Sequence, residues 1–258
     1  RRLREQLGDP LLVRRGNRML PTPLAERLAS PVAEAVASVG RVLSPAESRA
    51  SWPASITIAT TDEVVALLGP RLLARLAAEA PATKLVFLAI DASYNRLGLA
   101  LGQVDLVISE DWTAPGQLRR RRLLSSEFVG VVAKGHKPPR GLAAYTAADH
   151  LLVAPLGGRR GLVDDALADE GRSRHVAAVV PTFAAAAPLM AAHPLVCTVP
   201  ELAVDVCFPR GGVQRFRLPL ALPPARYDAF WHARVHGDRA HQHLRRVLTE
   251  VASEPPSA

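Results

Sequence analysis

Cysteine is scarce: the 258 residues hold only Cys197 and Cys207. Two thiols cannot staple a chain of this length, which excludes a disulfide framework and makes a reducing cytoplasm the expected setting. No apolar run approaches the roughly 18 residues that a membrane span needs, and no signal peptide is read before the fold, so no membrane partner is expected. Catalytic signatures are missing too. No Ser/His/Asp order can be assigned and no pair of acids stands out. Gly157-Gly158-Arg159-Arg160-Gly161 has neither the Lys-Ser/Thr of a P-loop nor the spacing of a dinucleotide fingerprint. His232, His236, His241 and His243 invite a metal reading, but the first two fall in or beside a predicted strand, where a spacing of four does not bring ligands together. Cys197 lies in the apolar run Leu195-Val196-Cys197-Thr198-Val199 with no basic neighbour in sequence, which favours a buried thiol over a reactive one. The chain reads as a non-enzyme with no cofactor and no metal.

What is present is a globular chain, 48% hydrophobic and long enough for two compact domains, with a net charge of +8. The charge is uneven. Six arginines (Arg1, Arg2, Arg4, Arg14, Arg15, Arg18) against two acids (Glu5, Asp9) place half of the excess in the first twenty residues. That concentration is the electrostatic footprint of a contact with a phosphate backbone, so DNA is an expected partner.

The local pattern of this head is specific. Leu3 and Leu7 are one helical turn apart, Gly8 is a helix stop and Asp9-Pro10 forbids continuation. Leu11-Leu12-Val13 and Met19-Leu20 flank a turn at Gly16-Asn17. Thr22 then caps, and Pro23 pre-sets, a helix whose apolar residues Leu24, Leu28, Val32, Val36, Val39 and Leu43 recur every three or four positions. Pro31 is expected to kink that helix or mark a restart. A stripe so long either lies on its own domain or pairs with a second copy of the chain.

From Leu3 to Pro23 the chain resembles the end of the winged helix-turn-helix of LysR-type transcriptional regulators. In that family a recognition helix ending Leu-Arg-x-x-Leu-Gly-x-Pro-Leu-Leu-Val-Arg leads into a wing and then into Thr-Pro at the head of a linker helix. The resemblance implies DNA contact through Arg1, Arg2 and Arg4 at the helix end and Arg14, Arg15 and Arg18 on the wing, and a homodimer or homotetramer built on the linker helix. Because the sequence opens at an arginine, it reads as a fragment lacking most of the DNA-reading unit. The expected domains are 1–21 for the end of the winged helix-turn-helix, 22–52 for the linker helix and hinge, and 53–258 for an effector-binding domain.

After Ile56 strand and helix patterns alternate, which predicts an α/β fold with parallel sheets covered on both faces. Strands are expected at 56–60, 84–90, 104–109, 127–132, 151–155, 176–180 and 195–199, and helices at 62–79, 94–102, 161–171 and 183–192. Arg119-Arg120-Arg121-Arg122 and the run from Arg215 to Arg226 break the alternation twice, implying two lobes. This pattern, with Gly102-Gln103-Val104-Asp105-Leu106-Val107-Ile108, Thr61-Asp62-Glu63-Val64-Val65 and Phe230-Trp231-His232-Ala233-Arg234, resembles the family's effector domain, which shares the fold of type 2 periplasmic-binding proteins. It is most similar to the nodulation-type branch, whose members often sense small aromatic compounds. The implied lobes are 53–125 with 217–258, and 126–216. A solute-binding protein of a transport system has the same two-lobed fold and stands as the alternative, although it has no use for a wing.

In open α/β sheets ligands bind beyond the carboxyl ends of strands, where helix N-termini present amides. Reading the residue at each such end gives Thr60, Thr61, Ser93, Ser109, Glu110, Arg159, Thr182 and Phe183 as the candidate effector site, suited to a small aromatic compound or a carboxylate. Thr61, Ser93 and Thr182 could equally be helix caps.

Overall fold

The computed structural model describes residues 2–16, 18–43, 52–91, 98–110 and 116–254. They form two compact units, 1–51 and 52–258.

In the first unit, helix α1 (Arg2–Leu7) ends at Gly8, whose φ of 61° is the left-handed stop that its position demands. Strands β1 (Leu12–Arg15) and β2 (Arg18–Pro21) pair antiparallel, with Arg15 opposite Arg18 across a turn that holds Gly16 at φ 66°. Asp9 and Thr22 lock this hairpin to the next helix. The Asp9 carboxylate accepts from the Leu11 amide at 2.6 Å and from the Thr22 hydroxyl at 2.7 Å, while the Thr22 hydroxyl accepts from the Ala25 amide at 3.2 Å as an N-cap. Helix α2 (Pro23–Leu43) runs through Pro31 with no restart, contrary to that part of the expectation. One missing backbone donor is tolerable in a helix of 21 residues. Along its stripe Leu24 and Leu28 are half-buried, whereas Val32 and Val36 stay 51% and 66% exposed. The side chains of Val39 and Leu43 fall outside the described residues.

The second unit contains two five-stranded sheets. The first has the order β4 (Lys84–Ala89), β3 (Ser55–Thr60), β5 (Leu106–Glu110), β12 (Ala225–His232), β6 (Leu118–Ser126). The second has the order β11 (Val213–Phe216), β7 (Phe128–Ala133), β10 (Val196–Pro200), β8 (Asp149–Val153), β9 (His175–Val180). The chain passes from the first sheet to the second at Glu127 and returns between Phe216 and Ala225. Both sheets are mixed rather than parallel. β3 pairs in parallel with β4 and β5, and β8 with β9 and β10, but β12 runs antiparallel to β5 and β6, and β7 antiparallel to β10 and β11. The antiparallel strands are those that carry the chain between sheets, which no helical crossover turns round.

The arginine run does not break the sheet. Arg119 to Arg122 lie inside β6, an edge strand, where charged side chains protect the unpaired margin. Arg122 pairs with Asp228 of β12, and Arg120 approaches the same carboxylate at 3.7 Å. The remaining helices are α3 (Asp62–Glu79), α4 (Gly141–Thr146), α5 (Leu162–Asp169), α6 (Phe183–Ala192), α7 (Glu201–Cys207) and α8 (Arg239–Ser253). α4 and α7 carry no signal strong enough to have been predicted, being only six and seven residues long. Residues 98–101 are helical, while the rest of the stretch expected at 94–102 up to Leu97 lies outside the described residues.

Leu68, Leu72 and Leu76 of α3 and Leu244, Val247 and Leu248 of α8 are all at most 2% exposed and cover one face of the first sheet. Each such side chain contributes about 1.5–3 kcal/mol of burial. The glycine-to-isoleucine motif has a mechanical basis: Gly102 takes φ 76°, and the turn sets Asp105 so that its carboxylate accepts from the Thr57 amide at 2.7 Å. The carbonyl of Asp105 meets His241 Nε2 at 3.0 Å, tying α8 to the sheet. The other histidines of the group have separate partners: His232 meets Gln117, His236 stacks on Trp231 and His243 meets Glu79.

Candidate functional site

Between the two sheets lies a cavity of about 250 Å³, lined by residues of both. The first sheet contributes Thr61 and Glu63 from the start of α3, Ser109 and Glu110 from the end of β5, and Tyr227 from β12. The second contributes Arg160, Arg174, Thr198 and Phe183, with Phe128, Leu152 and Leu222 among the apolar walls. β12 pairs Tyr227 with Leu124 and Asp228 with Arg122, skipping Leu123 of β6, and both Tyr227 and Asp228 are buried.

Of the eight residues read from strand ends, Thr61, Ser109, Glu110 and Phe183 line the cavity. Thr60 is buried beneath it, where its hydroxyl donates to the Ile108 carbonyl at 2.9 Å and ties β3 to β5. Thr182 caps α6, its hydroxyl accepting from the Ala185 amide at 3.3 Å. Arg159 is exposed and is not among the lining residues; its neighbour Arg160 is. Ser93 lies outside the described residues. Glu63, Tyr227, Arg160, Arg174 and Thr198 are additions that strand-end reasoning did not reach.

The N-terminus of α6 is not open to a ligand, as the expectation of free amides required. Asp62, at the head of α3 beside the first sheet, accepts from the Phe183 amide at 3.0 Å and the Ala184 amide at 2.8 Å. A carboxylate satisfies these donors and the helix's partial positive charge together, so the protein caps its own helix across the cleft. Asp62→Ala is expected to cost about 1–2 kcal/mol, as loss of a helix cap does, and to enlarge the radius of gyration in X-ray scattering as the two sheets part. Unchanged melting and scattering would show that Asp62 does not tie them.

Two polar systems flank the cavity. On the first sheet Glu63, 1% exposed, accepts at Oε1 from the Thr61 hydroxyl at 2.6 Å and from the Tyr227 hydroxyl at 3.1 Å. Its Oε2 is buried with no partner among the described residues. Burial pushes the Glu63 carboxyl up to about 7, the Thr61 bond working against it and the charges of Asp62 and Glu110 with it. Burial, then Glu63 and Glu110, raise the Tyr227 phenol far above its usual range.

On the second sheet Arg174, its side chain 2% exposed, grips Asp164 through Nε at 2.8 Å and Nη2 at 3.1 Å. Although burial alone would raise it, Arg174 and the Gly161 amide hold the Asp164 carboxyl below the usual range. Arg174 also donates to His150 Nδ1 at 3.3 Å, while His150 Nε2 meets the Tyr145 carbonyl at 2.7 Å. That arrangement suits a neutral imidazole with its proton on Nε2, and burial, joined by the Arg174 charge, depresses its pKa to about 4. The Tyr145 hydroxyl shares a 2.7 Å bond with Thr198, a lining residue. Burial pushes both thiols up to about 12, and Cys197 is fully buried, so neither is poised to react.

Comparison with known proteins agrees with this architecture. Residues 49–253 match the LysR substrate binding domain. The HTH-type transcriptional activator NahR of Pseudomonas putida is 31% identical over 260 residues, covering 98% of this chain and 86% of that protein. Nodulation protein D 2 of Sinorhizobium fredii is 27% identical over 263 residues, covering 97% and 82%. The crystal structure of a probable transcriptional regulator from Pseudomonas aeruginosa superposes with a TM-score of 0.69 at 29% identity, covering 96% of this chain and 85% of that one. The fold and cavity are those of a two-lobed effector-domain protein, and the chain belongs to the LysR-type transcriptional regulators. The match to regulators over 98% and 96% of this chain, the residues before 49 included, sets the transporter alternative aside.

Proposed function

We propose that the chain regulates transcription in response to a small molecule bound between its two sheets, and that it meets DNA through residues 1–21. The observation that carries this reading is the cavity, whose walls come from both sheets, so an occupant contacts both and shifts the balance between open and closed arrangements. Thr61, Ser109, Glu110 and Phe183 belong to the proposed site, and Arg160 supplies a positive charge in place of Arg159. The occupant is a small aromatic compound or carboxylate, matched to Phe128, Phe183 and Leu222 on one hand and Arg160 on the other. No turnover is involved, and the setting is the cytoplasm.

Calorimetric titration with benzoate and its hydroxy, amino and methyl derivatives tests this. Leu156 lines the cavity yet is 54% exposed, so Leu156→Trp fills the mouth without disturbing the core. At least one probe is expected to bind wild type, and at least tenfold more weakly to the variant. Equal binding to both would place the effector elsewhere.

The DNA surface comprises Arg2, Arg4, Arg14 and Arg15, all exposed, with Arg18 on β2 and Arg1 beyond the described residues. Wing arginines contact phosphate, which carries no sequence information. Arg14→Ala with Arg15→Ala is therefore expected to weaken binding to every duplex alike and to reduce the slope of log K against log salt by about 2. Anisotropy titrations at several salt concentrations read both quantities. A changed sequence preference with an unchanged slope would refute the wing assignment. Dimerisation is assigned to α2, whose exposed Val32 and Val36 suit a second copy of the helix.

A further inference from the structure

We propose that Glu63 selects the effector's chemistry: its Oε2 accepts a hydrogen bond from a hydroxyl or amino group on a small aromatic ligand. This rests on the effector reading above and adds which functional group the ligand must carry. Glu63 lines the cavity and is 1% exposed, and its Oε2 has no partner among the described residues. A buried carboxylate oxygen left without a donor is costly, and a bound ligand is one of the ways in which native proteins satisfy such an atom.

The geometry separates the two oxygens. Thr61 and Tyr227 both donate to Oε1, so Oε1 is the satisfied oxygen and Oε2 the one left without a donor among the described residues. The groups around it decide the guest's polarity. Asp62 on the same helix, Glu110 at the end of β5, Tyr227 on β12 and Cys207 at the end of α7 all bear on Glu63, and none brings positive charge. A ligand carboxylate is repelled from this wall, and an O–H or N–H is drawn to it. The positive charge sits opposite. Arg174 is already neutralised by Asp164, whereas Arg160 meets Asp165 at 3.3 Å, both side chains being about 70% exposed, a pairing weak enough for a ligand to displace. A cavity of about 250 Å³ suits one substituted ring spanning these walls, donor toward Glu63 and acidic group toward Arg160.

Proton balance gives this an independent signature. In the empty cavity burial holds Glu63 near half protonation at pH 7. A ligand donor at Oε2 favours the ionised form, so the proton leaves to solvent. A ligand that only accepts would draw a proton in.

The test compares hydroxybenzoates and aminobenzoates with the isosteric methylbenzoates, by calorimetry in two buffers of different ionisation enthalpy. Wild type is expected to prefer at least one hydroxy or amino compound over its methyl counterpart by about tenfold, the worth of one good hydrogen bond, and to release on the order of half a proton at pH 7. The hydroxy and amino arms distinguish the two donor types. In Glu63→Gln the amide presents its own N–H at this position, so both the preference and the proton release are expected to vanish. Equal binding of methyl and hydroxy compounds to wild type, still blocked by Leu156→Trp, overturns the role of Glu63 and leaves the effector cavity standing. Retained preference in Glu63→Gln, or proton uptake, overturns the role as well. Binding by no probe overturns both readings.

Discussion

Replacing Arg174 by alanine is expected to destabilise the two-sheet unit by about 3–5 kcal/mol, the range for removing one partner of a buried ion pair. The side chains of Arg174 and Asp164 are 2% and 14% exposed, so water cannot replace the guanidinium. Among the described residues Asp164 would keep the Gly161 amide as its hydrogen-bond donor, and His150 Nδ1 would lose its donor. For a unit of this size the loss corresponds to a fall in melting temperature on the order of 10 °C. Lysine should recover only part of it, because a point charge cannot reproduce the two-pronged contact that Nε and Nη2 make. Combining Arg174→Ala with Asp164→Asn should cost less than the two changes summed, since the second removes the charge stranded by the first. Urea titrations of the three variants decide it. A loss below about 1 kcal/mol for Arg174→Ala would mean that the pair does not hold α5 to β9.

How the sequence related to these features depended on how local their causes are. The helix expected at 183–192 is α6, Phe183–Ala192, because Thr182 caps it and His193 ends it within a few residues of chain. Gly8, Gly16 and Thr22 acted through their own turns and could be read directly. The sheets' mixed sense could not be, since whether β12 runs with or against β5 depends on how the chain returns after Phe216. Arg119 to Arg122 looked like an interruption because charge in a strand is acceptable only at a sheet edge, and edge position is a property of the assembled sheet. The strand-end rule reached Thr61, Ser109, Glu110 and Phe183. It missed Glu63 because an acid in the first turn of a helix reads as a complement to the helix dipole, and nothing near it announces that Tyr227 of β12 will close over it. It left Thr182 open between contact and cap, and took α6 for an open N-terminus because Asp62, which fills that terminus, comes from a distant part of the chain.

Glu63→Gln is expected to stabilise the protein above neutral pH by about 3 kcal/mol, against the usual direction for loss of a native carboxylate. In the unfolded chain Glu63 ionises near its ordinary value of 4.5, and in the folded protein only near 7, chiefly because burial penalises the charge. Between those two pH values the folded state holds the extra proton, so this group's contribution falls as pH rises. Below the unfolded value both states are protonated and the penalty is absent. Above the folded value it is complete, about 1.4 kcal/mol for each pH unit between the two. His150 acts in the opposite sense, because its folded pKa of about 4 lies below the ordinary 6.5 and its neutral form is favoured as pH rises through that window. The wild-type profile therefore mixes the two slopes, and the difference between wild type and Glu63→Gln isolates one. That difference should be near zero at pH 4.5, should grow through pH 6 and should level off by pH 8, as read by urea unfolding at each pH. Glutamine keeps an oxygen for the Thr61 and Tyr227 hydroxyls, so the local hydrogen bonds survive the change. A difference that is constant with pH, or that shrinks as pH rises, would mean that Glu63 ionises freely in the folded state, with its Oε2 reached by solvent.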